Sequence, residues 1–145
     1  MMKLIVNWNP IAKQRHKDFV KVLKNGKHFR GRYNPQKKIA DEFSSILLNQ
    51  LPVDFKPIQG PLFVQLWYGL KRPKAHYGTG RNKGKLKASA PKYPGKKPDI
   101  DNYEKFIYDC LSGVVIRDDS QICSCRHDKR YSEIPRVEIE IKELE

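Results

Sequence analysis

Lys97-Pro98-Asp99-Ile100-Asp101-Asn102-Tyr103-Glu104-Lys105-Phe106-Ile107-Tyr108-Asp109-Cys110-Leu111 is the stretch on which the fold reading turns. Tyr103, Phe106, Ile107, Cys110, Leu111 and, further on, Val114 recur at three- and four-residue spacing. That period predicts an amphipathic helix that starts near Asp101 and buries one face. Pro98 disfavours helix at Lys97, and Gly113 supplies a C-terminal stop. If the entry to the helix is extended, Asp99 and Asp101 leave the same face of the chain. Asp101 and Lys105, four apart, then share one helical stripe, which Asp109 continues. Val114-Val115-Ile116 leads into Asp118-Asp119, and residues 121–126 are expected to resume as extended chain.

Working outward, residues 3–8 predict a short strand stopped by Pro10. Residues 19–23 and 27–33 flank Asn25-Gly26, a dipeptide suited to a tight hairpin turn. Asn34 reads as an N-cap with Pro35 in the first turn of a helix. Ile39, Ala40, Phe43, Ile46, Leu47 and Gln50 form its stripe, and Pro52 ends it. Residues 62–70 predict a strand with two mostly apolar faces, Leu62/Val64/Leu66/Tyr68 and Phe63/Gln65/Trp67, which places it inside a sheet. Residues 137–141 alternate apolar and acidic and predict a half-exposed final strand. The expectation is an α+β protein: a single small domain over residues 1–145, with a mixed β-sheet packed by two main helices. No internal repeat is visible.

Composition narrows the partners. A length of 145 residues, with 39% apolar and 31% charged, favours one core over disorder. A net charge of +13 points to nucleic acid, or less directly to an acidic membrane surface. Ten of the positive charges (Lys71, Arg72, Lys74, Arg81, Lys83, Lys85, Lys87, Lys92, Lys96 and Lys97) fall within residues 71–97, which contain no Asp or Glu. Without them the net charge would be 13 − 10 = +3, so most polyanion affinity is expected to reside there. Glycines and prolines break any regular pattern, which predicts a mobile basic insertion loop that orders on DNA. Three cysteines (Cys110, Cys123, Cys125) give no disulfide framework, and Cys-x-Cys lacks the second pair of a zinc site. Cys110 is expected in the core. The N-terminal apolar run is too short for a signal peptide, and no stretch approaches the ~20 apolar residues of a membrane span. The expectation is a soluble cytoplasmic protein with reduced thiols and no membrane partner.

Carboxylates beside a lysine-rich run suggest a hard cation. Phosphodiester hydrolysis needs one to polarise the phosphoryl oxygen and activate water, and magnesium takes oxygen ligands, one or two carboxylates with several waters. A lysine within reach stabilises the developing charge. Each residue also has a plainer use. Asp101 or Asn102 would serve as a helix cap, Lys105 as half of an exposed ion pair with Asp101 or Asp109, and Asp118-Asp119 as a turn. Neighbouring side chains of extended chain point apart, so one of the latter two is expected to face a metal.

The run from Lys97 to Lys105, followed by Asp109, Gly113 and Asp118-Asp119-Ser120-Gln121, resembles the RusA family of Holliday junction resolvases, encoded largely by phages and prophages. The motif region covers about a sixth of the chain. The resemblance implies a small α+β homodimer that uses magnesium, with manganese able to substitute, to place paired nicks across four-way junction DNA in recombination and repair. It implies metal carboxylates at Asp99, Asp101 and Asp119 and a catalytic lysine at Lys105. Asp118, Asn102 and Asp109 are candidates to support them, Asp109 being expected as structural rather than catalytic. The long basic insertion before Asp99 departs from shorter members. DNA contacts are expected from Lys71, Arg72, Lys74, Arg81, Lys83, Lys85, Lys87, Lys96 and Lys97. Two other readings compete: a metal nuclease acting on flaps, forks or duplex, and a non-catalytic basic nucleic-acid-binding protein whose Tyr77 and Tyr93 stack on bases.

Overall fold

A computed structural model describes residues 1–145. Strands β1 (Met2–Val6), β2 (Lys17–Val22) and β3 (His28–Tyr33) precede helix α1 (Lys37–Leu48). Strand β4 (Leu62–Lys71), helix α2 (Ile100–Leu111), β5 (Ile122–Ser132) and β6 (Arg136–Glu143) follow. Four strands form one mixed sheet in the order β1-β6-β4-β5. The β1–β6 and β6–β4 pairs are antiparallel, and β4–β5 is parallel. A parallel neighbour requires a long crossover, and the basic stretch, α2 and the acidic turn all lie on that crossover. The topology therefore delivers the candidate site to the β5 edge of the sheet.

Alternation explains which face is covered. Leu62, Val64, Leu66 and Tyr68 of β4, Val137, Ile139 and Ile141 of β6, and Leu4 and Val6 of β1 are all buried on one face. Against them α2 sets Tyr103, Phe106, Ile107, Cys110 and Leu111, while α1 adds Phe43 and Leu47. Edge-to-face rings tie the two helices together through Phe43 and Phe106 at 5.6 Å, and tie α1 to the segment after β1 through Trp8 and Phe43 at 5.6 Å. Phe106→Ala should cost ~3–5 kcal/mol of stability by opening a cavity in this layer. A urea titration should show a lower midpoint with an unchanged slope; an unchanged midpoint would remove Phe106 from the core account.

The interior placement of β4 is as expected, but its second face has no covering layer. Phe63 and Trp67 are half-buried, and the Arg136 guanidinium lies 4.5 Å above the Trp67 ring. The hairpin also forms as read: β2 and β3 pair antiparallel, and Gly26 takes the positive φ of 79° that the turn needs.

Three boundaries differ from expectation. Helix α1 begins at Lys37 rather than next to Asn34, because Gln36 is buried and committed elsewhere. Its side chain accepts from Gln14 N–H at 2.9 Å and donates to the Ala12 carbonyl at 2.8 Å, so Asn34 instead turns the chain by accepting from Gln36 N–H. The helix stops at Leu48, short of Pro52, and Ile39 lies off the buried stripe. Strand β5 runs on to Ser132, six residues past the expected extended segment. No helix is long and apolar enough to cross a membrane.

Candidate active site

The start of α2 is built as a change of conformation. Asp99 is extended (φ −69°, ψ 149°) and serves as the N-cap residue without a side-chain capping bond, while Asp101 is already in the first helical turn. The helix thus begins one residue before Asp101, and the two carboxylates do not sit on one extended face as the spacing suggested. Asp101 instead looks along the helix to Lys105, with Oδ2 3.4 Å from Nζ and both side chains more than half exposed. An exposed pair at that distance contributes little to stability, which leaves both groups available to a ligand.

Asp99 lines an open cleft of ≈ 570 Å³ with Lys96, Lys97, Ile100, His127, Asp128 and Lys129. Lys129 holds the cleft's rim: its Nζ donates to the Lys96 carbonyl at 2.8 Å and the Pro98 carbonyl at 3.0 Å. That side chain fixes the backbone leading into Asp99, and nothing in the sequence pattern marked it.

Asp118 and Asp119 are separated by role. Asp118 caps the 3-10 turn Asp119–Gln121: its Oδ1 accepts from Ser120 N–H at 2.9 Å, and Gln121 Oε1 accepts from Asp118 N–H at 2.9 Å. Hydrogen bonding from Ser120 holds the Asp118 carboxyl below its ordinary value. Gln121 also donates to the carbonyls of Ile58 (3.0 Å) and Gly60 (2.8 Å), anchoring the turn to the loop before β4. Both are exposed, but Asp119 makes no capping bond, and it sits on a turn that packs beside α2.

Two further candidates are engaged structurally. Asp109 ion-pairs with Lys13. The Asn102 carbonyl accepts from Lys13 N–H at 2.8 Å, so both residues bind the N-terminal segment to α2. Burial pushes the Cys110 thiol up to about 12, which makes it an inert core residue.

The basic stretch is laid against β5. It contains two short 3-10 turns, Lys74–His76 and Gly80–Asn82, and a bridge between Tyr77 and Leu86. Arg72 stacks 5.2 Å over Tyr131 and donates to the Pro91 carbonyl at 2.7 Å, while Arg130 stacks 5.3 Å over Tyr93. Arg72 and Tyr93 are therefore used to hold the stretch down. Lys71, Lys74, Arg81, Lys83, Lys85, Lys87, Lys96 and Lys97 remain exposed.

The ligand oxygens of Asp99, Asp101 and Asp119 do not crowd within 4.8 Å of one another; the three-donor group that does is Glu104, Cys125 and His127. Sequence reasoning missed it. The available signal was Cys125-x-His127 on a strand, which puts both side chains on one face.

A basic α+β domain with Asp99 in a lysine-lined cleft, and with Asp101 and Lys105 exposed along the helix that starts there, falls in the class that handles phosphate backbones. The family model described as Endodeoxyribonuclease RusA matches residues 7–142. A relative, the uncharacterized protein YqaN of Bacillus subtilis (strain 168), is 31% identical over 148 residues, covering 99% of this chain and 96% of its own length. The chain belongs to the RusA endodeoxyribonuclease family.

Proposed function

We propose that this chain is a magnesium-dependent, structure-selective endonuclease that resolves four-way DNA junctions by paired symmetric nicks. Family membership supports the nuclease class. The observation that carries the site is the start of α2, where Asp99 and Asp101 stand exposed at the edge of a cationic surface with Lys105 3.4 Å from Asp101.

The donor set fits a hard cation. Asp99, Asp101 and Asp119 offer oxygen only, and all three are exposed. Magnesium keeps several waters and takes one or two carboxylates directly, so three touching oxygens are not required. When bound, the ion supplies Lewis-acid polarisation of the phosphoryl oxygen and a water that ionises near neutral pH. Manganese, with the same oxygen preference, is expected to substitute. Lys105 stabilises negative charge on the phosphoryl oxygens as they crowd around phosphorus. The capping of Asp118 supports Asp119 as the third ligand. Lys105→Ala should lower the single-turnover cleavage rate ~10²–10³-fold with little change in affinity; unchanged turnover would reduce Lys105 to a helix-surface residue.

Two equivalent strands cross a four-way junction, and a two-fold homodimer offers two identical sites to match them. The expected setting is DNA recombination and repair in the bacterial cytoplasm, encoded by a phage or prophage as the family resemblance implies. The testing experiment incubates the protein with a fixed four-way junction, a fork and a linear duplex, with magnesium or with chelator. Symmetric nicks in the junction alone, and only with magnesium, are expected. Equal cutting of all three would support a general metal nuclease, and binding without any nicking a non-catalytic protein.

A further inference from the structure

Glu104, Cys125 and His127 bring a carboxylate oxygen, a sulfur and a ring nitrogen within 4.8 Å of one another. Glu104 comes from the middle of α2, while Cys125 and His127 project from one face of β5. None of the three has a part in the nuclease chemistry above. We infer that they bind one transition-metal ion of the zinc class, through a donor set distinct from the magnesium carboxylates although His127 borders the Asp99 cleft.

Distance decides between a polar contact and a ligand set. His127 Nε2 lies 3.7 Å from Glu104 Oε1, beyond hydrogen-bond reach. That nitrogen is buried and has no hydrogen-bond partner. Zinc–nitrogen and zinc–oxygen bonds of ~2.0–2.2 Å at a tetrahedral angle place two ligand atoms ~3.4 Å apart, so 3.7 Å is close to ligand spacing. The other ring nitrogen, Nδ1, is 3.4 Å from the Tyr68 hydroxyl. The tautomer in which Nδ1–H donates to that oxygen leaves the Nε2 lone pair free, the usual support of a metal-bound histidine. The buried Tyr108 hydroxyl lies beside Cys125 and Glu104, where it can support either as a ligand.

Donor softness separates the two ions. Thiolate and imidazole favour zinc-like metals, whereas an all-oxygen set favours magnesium. Binding forms bonds to oxygen, nitrogen and sulfur and expels the Cys125 proton to solvent. Three protein ligands leave one coordination position open. The ion ties α2 to the edge strand, whose next residues, Asp128 and Lys129, line the Asp99 cleft.

The test uses the full chain, stripped with chelator, kept reduced with a non-thiol reagent, and titrated with cobalt(II) in the absence of DNA. A thiolate-to-cobalt charge-transfer band should grow to saturation at one equivalent. Zinc should abolish it and millimolar magnesium should not. Cys125→Ser should remove the band, His127→Gln should weaken cobalt binding at least tenfold, and Cys123→Ser should leave it intact. Circular dichroism of the two cysteine variants should match the parent, since Cys123 and Cys125 are exposed; a Cys125 variant that fails this is replaced by alkylation of the exposed thiols in the parent, which should likewise remove the band. No band at one equivalent, or a band that survives Cys125→Ser, overturns the inference. Because no cleavage is measured, this result and that of the junction assay fail independently.

Discussion

Asp101→Asn should lower magnesium-dependent cleavage of a four-way junction by on the order of 10³-fold while leaving junction affinity unchanged or slightly higher. The substitution keeps the size of the side chain and removes its charge, so the site loses an anionic oxygen for a hard cation. The fold should tolerate it. Asp101 is exposed and its sole side-chain partner is Lys105 at 3.4 Å, and losing a carboxylate from the first turn costs ~0.3–1 kcal/mol of helix-dipole interaction. Removing a negative charge from a surface of net charge +13 can only help a polyanion bind. Rate should be read under single-turnover conditions and affinity by gel shift without magnesium. Cleavage at the parental rate would remove Asp101 from the metal site.

Particular elements show how far the sequence could be read. The α2 stripe was legible because all five of its buried residues within the helix obey one period. The hairpin was legible because Asn25-Gly26 admits few other conformations. The end of β5 was not. Its residues Asp128, Lys129, Arg130 and Ser132 are polar because the strand is an edge, and polarity hides strand signal there. The α1 boundary escaped because Gln36 is claimed by Ala12 and Gln14, more than twenty residues away in sequence.

The candidate site divides in the same way. Asp101 and Lys105 could be paired by counting, since helical spacing is local. The division of labour between Asp118 and Asp119 could not, because it depends on Gln121 reaching Ile58 and Gly60 across the fold. Cys125-x-His127 is by itself an incomplete zinc pattern. Its third donor, Glu104, joins only when α2 packs on the sheet beside β5.

Replacing Lys83, Lys85 and Lys87 together with glutamine should flatten the salt dependence of DNA binding by ~2.7 units, ~0.9 for each phosphate no longer neutralised. All three are exposed and make no ion pair, so the change removes charge and no packing. If the parent neutralises ~6 phosphates, its affinity falls ~10³-fold between 50 and 200 mM salt, and the variant, with ~3 left, falls only ~40-fold. At low salt the variant should bind junction and duplex more weakly by similar factors, because interactions with phosphate carry no sequence or shape information of their own. Cleavage at saturating protein should stay near the parental rate, since these lysines lie away from the Asp99 cleft. Plots of log affinity against log salt for the two proteins decide the matter. Parallel lines would mean that the DNA does not lie along this stretch, and that the binding surface must be sought elsewhere among the positive charges.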